Sequence, residues 1–169
     1  QSLSERAKIE WQKKLGANYI ETDIQSGSAL LFGYEMGGYI NIYCANGKDV
    51  YHSGGYPSSE LKTAAKELRG ALTTTSAFLV TWQDFPFDAA AKLGGLIYNS
   101  NFSECFHTGA KLTFVPFGPL SDIPLGILLN KKYDGPFKTA PWAITQNSFT
   151  YASSIKEAFN AYFDDHAVA

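Results

Sequence analysis

The chemistry-bearing residues of this chain gather most densely at Glu104-Cys105-Phe106-His107. A cysteine attacks as its thiolate, and a neighbouring imidazole both lowers the thiol pKa and carries its proton. On a strand, alternate residues share one side, so Cys105 and His107 would point the same way. A Cys–His hydrolase or amidase is therefore one reading of the chain, with Cys105 as nucleophile and His107 as base. The plainer reading is a small buried cysteine with a histidine at the solvent edge. Nothing in the sequence supplies a third group to orient the imidazole, and such sites are defined by geometry and not by spacing.

The other cysteine, Cys44, lies 61 residues earlier. A Cys44–Cys105 disulfide in an oxidising compartment and two buried thiols in a reducing one are both open. Neither cysteine belongs to a C-x-x-C pair, and His52, His107 and His166 stand apart without metal-ligand spacing. No G-x-G-x-x-G or G-x-x-x-x-G-K-[ST] loop is present to hold a dinucleotide or a triphosphate. Ser59–Lys62 and Ser153–Lys156 have S-x-x-K spacing, but both serines sit where helix capping accounts for them. No cofactor is expected.

A cluster of another kind runs through Trp82-Gln83-Asp84-Phe85-Pro86-Phe87, three large aromatics around a strand-to-helix turn. Phe114, Phe117 and Trp142 add aromatic surface beside prolines. Interface cores are enriched in such residues, and a stiff backbone lowers the cost of ordering them. Trp82, Phe85, Phe87, Phe117 and Trp142 are the candidate binding residues, weighed against a satellite core packed under a loop.

Composition bears on the partner. Aromatic residues make up 15% of the 169-residue chain and charged residues 18%, with a net charge of −2. Nucleic-acid binding needs clustered Lys and Arg to release counterions. The only two arginines, Arg6 and Arg69, are far apart in the sequence, so nucleic acid is not expected as a partner. No apolar run approaches the length of a membrane span. Gln1 in first position fits a processed chain, secreted, periplasmic or imported, or a recombinant product; the compartment is left open.

The elements that must position these residues follow from periodicity. Ser2 with Glu5, then Ala7, Trp11 and Leu15, predict an N-terminal helix ending at Gly16. Alternation over Ile20–Ile24 predicts a strand, and Ala29–Met36 a second. Strands Tyr39–Ala45 and Lys48–Ser53 flank Asn46-Gly47, whose type predicts a two-residue hairpin with Cys44 opposite Asp49 and Ile42 opposite Tyr51. Ile40, Ile42, Cys44 and Tyr51 then share the core face, and Tyr39, Asn41, Tyr43, Val50 and His52 the other. Ser58 or Ser59 opens a helix with the stripe Leu61, Ala64, Ala65, Leu68 and Leu72. Ala77–Trp82 reads as a buried strand, and the helix after Pro86 carries Gly94 and Gly95, which a close packing contact would explain. Lys111–Phe117, Leu125–Asn130 and Trp142–Thr145 read as strands. A C-terminal helix follows the cap candidates Asn147 and Ser148, with Tyr151, Ile155, Ala158, Phe159 and Tyr162 on one face.

These elements predict an α+β fold, a single domain over residues 1–169. A mainly antiparallel sheet of about five to seven strands packs with N-terminal, central and C-terminal helices. The leading functional expectation is a non-catalytic interaction protein (an inhibitor, an immunity-type protein or an accessory subunit) that meets another protein through its aromatic surface. A small-molecule binding module with an apolar pocket is the second reading, and the Cys–His enzyme the third.

Overall fold

The structure is a computed structural model that describes residues 27–73 and 85–154. The expected helix over Ala7–Leu15, the strands Ile20–Ile24 and Ala77–Trp82, and the helical positions from Ile155 onward lie outside the described residues. Those that are described form an α+β fold around one five-stranded sheet. The strands are β1 (Ser28–Met36), β2 (Tyr39–Ala45), β3 (Val50–Pro57), β4 (Lys111–Phe114) and β5 (Ser148–Tyr151). The helices are α1 (Ser58–Thr73), α2 (Phe87–Gly94) and the single turn α3 (Ala143–Gln146).

The sheet order is β3-β2-β1-β4-β5, and it is mixed. β1, β2 and β3 pair antiparallel, whereas β4 runs parallel to β1 and β5 parallel to β4. The expectation of a mainly antiparallel sheet is thus half right. Parallel neighbours need a long crossover between them, and residues 115–147 supply one between β4 and β5. That crossover is built of 3-10 turns at Gly118–Leu120, Leu125–Ile127 and Phe137–Thr139 together with α3. Leu125–Asn130 is therefore not a strand. Its leucines are apolar because they are buried, and Leu129 alone forms a bridge, to Trp142. Trp142–Thr145 likewise is that bridge followed by α3. Ser148 and Tyr151, expected at the start of the last helix, are in β5.

The hairpins correct the turn assignment. Gly37 and Gly38, at φ +60° and +81°, close β1 onto β2 as the two-residue turn, with Met36 opposite Tyr39. Both central residues of such a turn need positive φ, which glycine supplies without strain. Asn46 does not take positive φ. Its Oδ1 instead accepts from the backbone N–H groups of Lys48 and Asp49, at 3.0 and 2.9 Å, and the loop widens to Asn46–Asp49. The closing pair becomes Ala45–Val50, and Cys44 faces Tyr51 rather than Asp49. A slip of two residues preserves alternation, so the face assignment survives the register error.

Ala29, Leu31, Ile40, Ile42, Cys44, Leu112 and Phe114 form the sheet side of the core. Leu61, Ala64, Ala65 and Leu68 of α1 and Ala89, Ala90 and Leu93 of α2 pack against them, while Leu72 in the last turn of α1 is exposed. The opposite face is apolar too: Leu30, Phe32, Tyr43, Ala45 and Val50 are all buried. Phe32 stacks on Tyr43 at 5.1 Å, and Tyr43 meets His52 at 4.9 Å. Helix α2 approaches the crossover closely at Gly94, where a Cβ would overlap the carbonyl oxygen of Leu129. This contact is what Gly94 was expected to serve, and it fixes α2 against the loops that carry the aromatic side chains.

Candidate functional site

Cys105 is bonded to Cys44, and among the described residues no cysteine is free. The bridge ties the end of β2 to the turn after the 3-10 segment Ser100–Phe102. Asn46 Nδ2 reinforces the junction by donating to Glu104 O at 3.3 Å, as does Asn101 Nδ2 to Ser53 Oγ at 3.2 Å. Residues 104–107 are turn and coil and not a strand. Cys105 is buried and His107 exposed. With its sulfur in a disulfide, Cys105 offers no thiolate, and the Cys–His chemistry lacks its nucleophile. Among the described residues no group of three or more His, Cys, Asp or Glu is placed to hold a metal ion. No helix there is long and apolar enough to cross a membrane.

The aromatic residues behave differently. Phe85 and Phe87, on either side of Pro86, lie 5.2 Å apart between ring centres. Trp142 meets Phe85 at 5.2 Å and Phe87 at 6.1 Å. Three of the five candidates therefore converge. Phe117 does not: it sits after β4 against Phe114 at 5.8 Å, with its ring over Gly33. Trp82 lies outside the described residues.

Two partners were missed by the sequence reading. Phe137 lies 4.8 Å from Trp142 and 5.6 Å from Phe85, and Tyr133 lies 5.4 Å from Phe87. Both belong to the stretch 133–141, between the expected strands Leu125–Asn130 and Trp142–Thr145, where no periodic element is expected. The signal was Phe137 directly after Pro136, an aromatic in a rigid turn, the same feature that marked Phe85 and Phe87.

Most of these rings meet edge to face, the arrangement their quadrupoles favour, worth about 0.5–1.5 kcal/mol per pair beyond area burial. The loop that carries Phe137 is braced. Tyr133 donates its hydroxyl to Pro136 O at 2.6 Å and lies 2.7 Å from Thr139 Oγ1. Trp142 Nε1 donates to Phe137 O at 3.2 Å.

Phe85, Phe87, Tyr133 and Phe137 are each only partly buried, and they line an open groove of about 910 Å³. Among the described residues, its rim carries Glu67, Asp88 and Asp134 with one cation, Lys138. All four rim residues are exposed. The groove thus combines an aromatic floor, a hydrogen-bonded loop and a mainly acidic rim. No family model matches the chain, and a search of curated proteins finds no match, so the reading rests on this geometry.

Proposed function

We propose that the chain is a non-catalytic interaction protein that receives a segment of a partner protein in the groove floored by Phe85, Phe87 and Phe137. One observation carries the reading: four aromatic side chains from two separate segments, Phe85 and Phe87 with Tyr133 and Phe137, line one open groove, with Trp142 packed behind them. Interface anchors are drawn from large aromatics seated in pre-formed, rigid surroundings, where ordering on binding costs little. The acidic rim favours a segment whose apolar anchors are flanked by Lys or Arg, and contributes chiefly to encounter rate and orientation. The missing thiolate weighs in the same direction.

The test is selection from a random peptide library displayed on phage, with the wild-type protein immobilised. The reading expects a consensus of one or two large apolar residues with basic neighbours, and loss of capture on folded Phe137→Ala. A consensus captured equally by Phe137→Ala, or acidic instead of basic, removes the groove as the binding site.

A further inference from the structure

The two edges of the sheet are built differently. At one edge, β3 bulges at Gly55, between the pairs Ile40–Tyr56 and Asn41–Gly54, and ends on Pro57. Bulges, glycine and proline blunt an edge, because they bend it and interrupt its row of donors. At the other edge, β5 has none of these devices: Ser148-Phe149-Thr150-Tyr151 contains no glycine, no proline and no charge.

The hydrogen bonding of β5 leaves one side open. Ala152 N donates to Phe114 O at 3.0 Å, so the main-chain groups of Ala152 turn towards β4. Alternate residues of a strand turn these groups opposite ways, which points those of Ser148 and Thr150 at β4 and those of Phe149 and Tyr151 outward. No described residue pairs with the outward N–H and C=O groups of Phe149 and Tyr151. Ser148, Thr150 and Tyr151 are exposed, Tyr151 to 53%, so the strand lies at the surface. Its side chains divide by face. Phe149 packs against the core, and Tyr151 meets Phe114 at 6.3 Å between ring centres. Thr150 lies on the other face, with its hydroxyl 3.0 Å from that of Thr113.

We propose that β5 pairs antiparallel with β5 of a second copy of this chain, about a two-fold axis at Thr150, and so joins two sheets into one. The register is the one that uses every outward group. It sets Phe149 opposite Tyr151 of the partner subunit, and Thr150 opposite Thr150 of the partner subunit. Each Phe149–Tyr151 pair exchanges both of its N–H···O=C bonds, and the threonines fall at the closer, non-hydrogen-bonded position between them. Aromatic faces aromatic and hydroxyl faces hydroxyl, both favourable pairs across strands, and no like charges meet. The missing charge selects a second copy over a foreign strand: the edge has nothing to steer a charged segment, whereas it is complementary to itself. The strand uses none of the aromatic residues of the groove, so the pairing stands whether or not that groove binds a protein.

The experiment is sedimentation equilibrium over a concentration series up to the solubility limit, with amide hydrogen exchange followed along the same series. The mass of wild type is expected to rise from that of one chain towards twice it. The amide protons of Phe149 and Tyr151 slow in step with it, while that of Gly37, in the β1–β2 turn, keeps one rate. Thr150→Lys and Thr150→Glu each set like charges across the axis and weaken self-association about fivefold or more at low salt. Mixed in equal amounts, the two variants associate more tightly than either does alone, each having an intact melting transition. Three outcomes overturn the proposal. One is a wild type that stays a single chain at every concentration, which would leave the edge to a strand of another protein. The second is a dimer whose Phe149 and Tyr151 amides exchange as fast as in the single chain. The third is a mixture of folded variants no tighter than its components. If either variant fails to fold, the mass and exchange of wild type decide alone.

Discussion

Replacing Gly94 by alanine puts a methyl group where the carbonyl oxygen of Leu129 already sits. The obstacle is backbone, and it is held from several directions. Leu129 N donates to Ala90 O at 3.2 Å, Asn130 N to Pro141 O at 3.1 Å, and Ala143 N to Leu128 O at 2.8 Å. On the helix side, Gly94 O accepts from Ile97 N and Tyr98 N. Neither partner can retreat without losing bonds, so the overpacking cost falls near the upper end of its usual range, about 3 kcal/mol. Alanine returns about 1 kcal/mol in helix propensity over glycine. The net loss is about 2 kcal/mol, which at this chain length lowers Tm by about 4–8 °C. Gly95→Ala is the internal control. There φ is −62°, and the nearest atom to the new Cβ is Lys92 O at 3.3 Å, so its Tm should stay close to wild type. Thermal melts followed by circular dichroism give both values. Gly94→Ala melting at or above wild type would refute the close approach of α2 to the crossover.

Ellman's reagent on denatured, unreduced protein should find neither Cys44 nor Cys105 free, and replacing both should cost about 2–4 kcal/mol in urea unfolding; two free thiols contradict the bridge. Gly47 stands at φ +87°, so Gly47→Val should lose about 1–3 kcal/mol through backbone strain, read as a lower urea midpoint. An unchanged midpoint would mean that the Asn46–Asp49 loop is not as described. Tyr98 should ionise above the ordinary value of 10.0, because burial disfavours its phenolate. Its contribution to stability is whole below the unfolded pKa and fades as pH rises through the folded one. A difference titration of wild type against Tyr98→Phe by ultraviolet absorbance checks this, and a missing phenol that titrates at the ordinary value would contradict it.

Local order was legible wherever a single period ran without interruption. The helical stripe of α1 has one burial solution, so Leu61, Ala64, Ala65 and Leu68 could be read directly as its buried face, and the pleat of β2 put Ile40, Ile42 and Cys44 together; that Tyr43 and Val50 on the other face are buried too was not visible. The Asn46-Gly47 turn went wrong because asparagine can either take positive φ or use its side chain as an acceptor, and only the surrounding fold selects between them. The crossover was misread for another reason. Leu125, Leu128 and Leu129 are apolar because they fill the core, and burial alone does not distinguish a strand from a chain of 3-10 turns. Strand order was beyond reach, since parallel pairing of β4 with β1 depends on contacts far apart in sequence. At the candidate site, Phe85, Phe87 and Trp142 were found because aromatics beside proline mark rigid surface. Phe137, after Pro136, carries the same mark in a stretch with no periodicity to place it. Phe117 bears it too and packs inward on Gly33, which no local signal reveals.

The measurement that bears most directly on the interaction reading is the affinity of a library-selected peptide for three proteins. These are wild type, Phe137→Ala, and the double charge reversal Asp88→Lys with Asp134→Lys, each checked for an intact melt. Loss of a central aromatic anchor costs about 2 kcal/mol, so Phe137→Ala should weaken binding roughly thirtyfold by calorimetry. The double reversal, confined to exposed rim charges, should weaken it several-fold at low salt and progressively less as ionic strength rises. A peptide that binds all three proteins alike would contradict the account, because its site would then lie away from the groove.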